Sequence, residues 1–182
     1  MSLQEVIREF CSIALLLLFA YSAGGKVRNV TAFARSVEGF AVVPSTWVVP
    51  LARLFIGAEG IVVVLLLGGL VWSGVLLAGM LLALGLLVVF SSALISVMIR
   101  GLQVPCGCFG TDDRPVATVD LVRNAGLIVL SVAGLATASS QHSILASLLT
   151  ALMAATFVVI WTHLDDITAV LRWEPVVLKE GK

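Results

Sequence analysis

The chain has 182 residues, of which 60% are hydrophobic and 12% charged, and its mean hydropathy is +1.12. Ordinary soluble domains carry about 45 to 50% apolar and about 25% charged residues, so a water-soluble globule is excluded. The 11 basic and 11 acidic residues cancel and form no basic run, which excludes the electrostatic footprint of a nucleic-acid binder.

Backbone amides in hydrocarbon must pair within their own segment, so each apolar run long enough to cross a core of about 30 Å reads as a helix. Five runs qualify, predicting an all-α bundle of about five transmembrane helices in a single domain over residues 1–182. The first runs from about Ile7 to Gly24. Its core at Leu15 to Phe19, followed by Ala20, Ser22 and Ala23, has the look of a signal peptide. Glu5 and Glu9 spoil the positive flank such a signal needs, however, and the chain keeps Met1, so the reading is an uncleaved span. Gly25-Lys26 then reads as a helix stop with a headgroup anchor. Val30, Phe33, Ala34 and Val37, at helical spacing behind an Asn29 cap, predict a short amphipathic helix lying in the interface.

The second span is expected from about Leu51 to Leu67, turning through Gly68 and Gly69, and the third from about Gly74 to Ile99. Residues 100–118 contain Pro105, Cys106-Gly107-Cys108-Phe109-Gly110, Asp112, Asp113 and Pro115, and this Gly and Pro density makes a loop. The fourth span covers about Val119 to Ala138 and the fifth about Ser143 to Trp161, with a short tail over 164–182. Trp47, Trp72, Trp161 and Trp173 sit near helix ends, as interfacial aromatics do.

Five crossings put both long connections and the tail on one face. Lys26, Arg28, Arg35, Arg53, Arg100, Arg114, Arg123, Arg172, Lys179 and Lys182 lie there, and Arg8 lies on the other face. The positive-inside rule therefore assigns the Cys-Gly-Cys loop to the cytoplasm and the N-terminus to the outside of the cell membrane.

Cys106 and Cys108 carry the sharpest local signal. Thiols two apart around a glycine can approach within disulfide range, and the small ring is strained and easily reduced, which is the description of a redox-active dithiol. Structural thiols packed in the loop, or a lipidated juxtamembrane cysteine, are the plainer alternatives. No metal site is expected, because a closed zinc site wants four ligands and the chain offers one further cysteine and two histidines. Cys11, toward the far end of the first helix, reads as a small buried hydrophobe.

Glu59 is the second singular residue. An acidic side chain that deep costs on the order of 3 kcal/mol unless paired or protonated, which makes it a functional-site candidate by default. Its plain reading is a protonated carboxyl in an interhelical hydrogen bond. Arg53, Arg123 and Asn124 are its expected neighbours. Arg123 can also pair with Asp120 three residues earlier, and an arginine near the loop would favour the reactive thiolate.

Gly25-Lys26, Phe33, Pro44, Pro50-Leu51-Ala52-Arg53, Glu59, Gly101, Cys106-Gly107-Cys108-Phe109-Gly110 and Arg123-Asn124 together resemble the methylamine-utilisation MauE family within the DoxX-like membrane proteins. The likeness runs from about Gly25 to Leu130 and is most specific at the Cys-Gly-Cys-Phe-Gly block. It implies a compact helical bundle with a redox-linked accessory role, in maturing the disulfide-rich small subunit of methylamine dehydrogenase alongside a thioredoxin-like partner. It carries over the dithiol at Cys106 and Cys108, with Arg53, Glu59, Arg123 and Asn124 as neighbours.

The expectation is therefore a membrane-embedded accessory protein that exchanges thiols and disulfides with a client or thioredoxin-like protein. No cofactor motif is evident, and a membrane quinone is a candidate electron partner. An exported client would want the dithiol outside, whereas the charge asymmetry puts it inside. The rival reading is a small-ligand binding or transport protein, or a structural subunit of a membrane complex, with structural cysteines.

Overall fold

The computed structural model describes residues 2–104, 115–137 and 144–164. Cys106 and Cys108, the acidic pair at Asp112 and Asp113, His142, Trp173 and nearly all of the tail lie outside the described residues. The regular elements among the described residues are six helices: α1 (Leu3–Arg28), α2 (Val30–Gly39), α3 (Ser45–Gly69), α4 (Ser73–Ile99), α5 (Thr118–Thr137) and α6 (Ile144–Thr162). Four of these, α1, α3, α4 and α5, are long and apolar enough to cross a membrane, and α6 is apolar over the shorter stretch Leu148–Thr162. The protein is an all-α, multi-pass membrane bundle.

α1 starts at a capping box. The Ser2 side chain accepts from the Glu5 backbone N–H at 3.3 Å, and the Glu5 carboxylate accepts from the Ser2 N–H at 2.9 Å. The helix does not stop at Gly24-Gly25, contrary to the sequence expectation, but continues to Arg28. Each glycine costs a helix about 1 kcal/mol. That is less than the several kcal/mol of an unpaired backbone group in hydrocarbon, so the helix persists. Asn29 ends it and starts the next, its side chain accepting from Ala32 N–H at 3.1 Å. α2 buries Phe33, Ala34, Ser36 and Val37 against the N-terminal half of α3.

α3 begins at Ser45, six residues earlier than expected, with Pro50 inside it. Pro50 lies in the second turn, so it removes one i to i−4 bond near the helix start and leaves the rest of the helix intact. Beyond α2, the chain turns through Ala41 at φ 49°, and Arg100 at the end of α4 holds that turn by donating to the Phe40 and Ala41 carbonyls.

α1 is central, packed on α3, α5 and α6, while α4 bridges α3 and α5. The main core gathers Cys11, Leu15, Leu18 and Phe19 of α1, Val62 and Leu66 of α3, Met80 and Leu87 of α4, and Leu127 of α5. Cys11 is buried there, its Cβ close to where a Cβ on Gly134 would stand (3.3 Å). Exposed apolar residues such as Leu54, Ile61, Val64, Leu81, Val88 and Leu152 form the outer surface, as hydrocarbon requires.

Candidate functional site

The bundle closes on a buried ion pair. Ser22 and Lys26 are four apart on α1 and so share one face. The Lys26 Nζ donates to the Ser22 Oγ at 3.0 Å and to a carboxylate oxygen of Glu59 on α3. The Ser22 hydroxyl lies 3.4 Å from both Glu59 oxygens. Lys26 is 5% exposed and Glu59 7%, so removing either would leave an uncompensated charge in low dielectric. The ammonium also lies 4.9 Å from the centroid of the Phe33 ring and 5.6 Å from that of Phe90, within cation–π range.

Beside the pair is a cavity of about 40 Å³, bounded by Ser22, Lys26, Phe55, Glu59, Phe90 and Asn124 among others. That is room for about two or three waters. Asn124 is 6% exposed, and its Nδ2 is buried without a hydrogen-bond partner among the described residues. Next to it, a second and larger space of about 250 Å³ lies between α2, α3 and α4, with Phe55 and Phe90 in both linings.

The structure brings together only part of the expected cluster. Glu59 and Asn124 line the same cavity. Arg53 is exposed, one residue from the fully buried Ala52. Arg123 is buried but works toward α6: its Nε and Nη2 donate to the Trp161 and Thr162 carbonyls at 3.0 and 3.2 Å, and Asp120 lies 3.7 Å away. It caps the C-terminal end of α6, where unpaired carbonyls and the helix dipole favour a cation. Successive residues on a helix point about 100° apart, which is why Asn124 reaches the cavity and Arg123 does not.

The charge partner of Glu59 is therefore Lys26, in place of the expected Arg53 or Arg123. The available signal was the Ser22 to Lys26 spacing on a span that ends two residues later, hidden by the apparent stop at Gly24-Gly25. Also unexpected is Arg8, which donates to Glu9 at 2.7 Å and to the Gly69 carbonyl at 3.3 Å, capping α3 at the opposite end of the bundle. Adjacent charges inside an apolar run are the sequence sign of such a pair.

Where the Cys-Gly-Cys loop leaves and returns is defined on both sides. Val116 N–H donates to the Val104 carbonyl at 2.9 Å, and both valines pack on the cluster of Phe40, Leu94 and Val97. A Cβ on Gly39 would meet Val104 Cγ1 at 2.7 Å, so α2 presses directly on this anchor.

The family described as Methylamine utilisation protein MauE matches residues 4–137, from α1 through α5. A protein of Paracoccus denitrificans named Methylamine utilization protein MauE is 32% identical over 133 residues, which is 72% of this chain and 69% of that protein. No solved structure matches.

Proposed function

Because the chain belongs to the MauE family, we propose that it is a membrane accessory protein of methylamine utilisation that exchanges thiols and disulfides with a partner protein through Cys106 and Cys108. The observation that supports this reading is the anchoring of the loop. Val104 and Val116 meet at 2.9 Å, so the segment carrying the dithiol starts and ends at one place, on the end of the bundle that holds the Lys26 and Glu59 pair.

In the exchange, one thiolate attacks a sulfur of the partner's disulfide, and the partner's other sulfur leaves as a thiolate. The second cysteine then resolves the mixed disulfide. The partner gains two electrons and two protons, and the loop loses both as its two S–H bonds become one S–S bond. On this reading the loop is cytoplasmic, the side that the positive-inside rule expects for the face with most of the basic residues. There it would draw on cytoplasmic thiols or pass electrons across the bundle.

Thiol trapping across a series of glutathione ratios tests it. The loop is expected to titrate as one two-electron couple with a midpoint above about −300 mV, the ceiling of structural disulfides. Cys106→Ser, Cys108→Ser and the double variant are expected to lose function equally, and Cys11→Ser to be nearly silent in function. Full function in the double variant would instead leave the cavity beside Glu59 as the working part of a ligand-binding protein.

A further inference from the structure

The thiol chemistry leaves unused an apolar cleft that opens on lipid and an exposed arginine at its mouth. The cleft, of about 250 Å³, lies between α2, α3 and α4 and is lined by Phe33, Phe40, Phe55, Phe90 and Ala93 among others, with no polar side chain in its wall among the described residues. Such a wall offers water no partner, and the space exceeds the roughly 150 Å³ that lodges benzene, so it suits a stretch of hydrocarbon. Val42 and Val89 of the same lining are 48% and 54% exposed on the outer surface, where the hydrocarbon of the bilayer reaches them.

Arg100 stands at the Val42 end. Its side chain donates to the Ser96 carbonyl at 3.1 Å, to the Ala41 carbonyl at 3.3 Å and to the Phe40 carbonyl, which puts the guanidinium beside the residue that precedes Val42. A guanidinium has five N–H donors, so two remain for a ligand, and the residue is exposed. The exposed charges of α2, α3 and the end of α4 are Arg35, Arg53 and Arg100 against Glu38, an excess that favours an anion. Depth agrees as well. Val89 lies eleven residues before Arg100, about 16 Å along α4 at 1.5 Å per residue, and one leaflet of a hydrocarbon core of about 30 Å is about 15 Å thick.

We propose that the cleft and Arg100 form a binding site for one anionic phospholipid, with its phosphate beside the guanidinium and one acyl chain in the cleft, and that this lipid tightens the anchor of the Cys-Gly-Cys loop. The acyl chain supplies the van der Waals partners that an apolar space lacks, and the phosphate accepts from the remaining N–H groups of Arg100. A zwitterionic phospholipid brings the same chain and phosphate, but its own ammonium cancels the charge. The coupling follows from shared side chains. Phe40, Phe90 and Ala93 of the cleft wall belong to the cluster on which Val104 and Val116 pack, and the Val116 N–H to Val104 carbonyl bond joins the two ends of the loop. The site stands independently of the thiol reading, since neither its ligand nor its walls involve the cysteines.

The experiment uses full-length protein, kept reduced in detergent micelles and titrated with phosphatidylglycerol, phosphatidylcholine or inorganic phosphate. Phosphatidylglycerol is expected to raise the melting temperature in a saturable way and to slow hydrogen exchange at the Val116 amide. Phosphatidylcholine with the same chains should bind about fivefold more weakly, the worth of one basic residue at an anionic lipid, and inorganic phosphate should do neither. In Arg100→Gln the two lipids should bind equally. That substitution also loosens the hold on the Phe40 and Ala41 turn, so Ala93→Phe, which fills the cleft, tests the chain position separately. It is expected to weaken both lipids without lowering the melting temperature of the lipid-free protein. Equal affinity for the two lipids in the unsubstituted protein, or a preference that survives Arg100→Gln, would overturn the headgroup site. Unchanged binding in Ala93→Phe, or no saturable binding of either lipid, would overturn the cleft as its seat, and stabilisation by inorganic phosphate alone would overturn the lipid as ligand. Binding that leaves exchange at Val116 unaltered would overturn the coupling to the loop.

Discussion

Lys26 and Glu59 carry opposite charges where neither could stand alone. Breaking a buried pair from one side costs about 3 to 5 kcal/mol, because the remaining charge is left desolvated. Lys26→Met and Glu59→Leu are each expected to lower stability by that order in denaturation from lipid nanodiscs, and the double variant Lys26→Met, Glu59→Leu to recover most of it. Additive losses would mean that the two side chains do not depend on each other. Glu59→Gln keeps an acceptor for Lys26 and Ser22, so its cost should be smaller than that of Glu59→Leu. Glu59 was legible in the sequence because a carboxylate inside an apolar run is expensive. Its partner was not, because Gly24-Gly25 reads as a helix end and turns Lys26 into a surface anchor.

Close approach of helix pairs depends on a few glycines. A Cβ on Gly69 would stand 2.7 Å from the Cα of Leu76, which is backbone of α4 and cannot step aside. Gly69→Ala is therefore expected to destabilise by about 1 to 3 kcal/mol, as overpacking does. Gly57 and Gly85 lie in α3 and α4, and a methyl group at either would have nothing within 4 Å of it. Their alanine variants should be neutral or more stable by up to about 1 kcal/mol, the difference in helix propensity. Thermal unfolding of the three variants side by side checks this. Gly126 makes the same kind of contact with Trp161, whose ring atom Cζ2 would be 2.3 Å from a Cβ. Trp161, in the last turn of α6, stacks on Phe157 at 5.0 Å and packs into the α5 and α6 seam. Proline usually marks a boundary, but within the first turns of a helix it removes little, so α3 starts at Ser45.

Across the whole bundle, each end has a buried arginine that closes a helix terminus and is balanced by a carboxylate: Arg8 with Glu9 at one end, Arg123 with Asp120 at the other. The sequence count of ten basic residues against one underlies the expected orientation, and Arg8, the one, is buried in a pair. A membrane-impermeant maleimide applied to intact cells should leave reduced Cys106 and Cys108 unlabelled until the membrane is opened. Rapid labelling from outside would reverse the topology and place the dithiol with an exported client.

Apolar run length and the scarcity of charge determined the helical membrane bundle from the sequence alone, since hydrocarbon permits few other ways to pair a backbone. The Asn29 cap and the amphipathic spacing of Phe33, Ala34 and Val37 likewise determined α2, because both signals are local. Which side chains face one another across helices was decided only by the tertiary structure. Lys26 meets Glu59, Asn124 turns to the cavity, and Arg123 turns to α6, because rotation and packing of whole helices set these directions and no spacing along one segment encodes them.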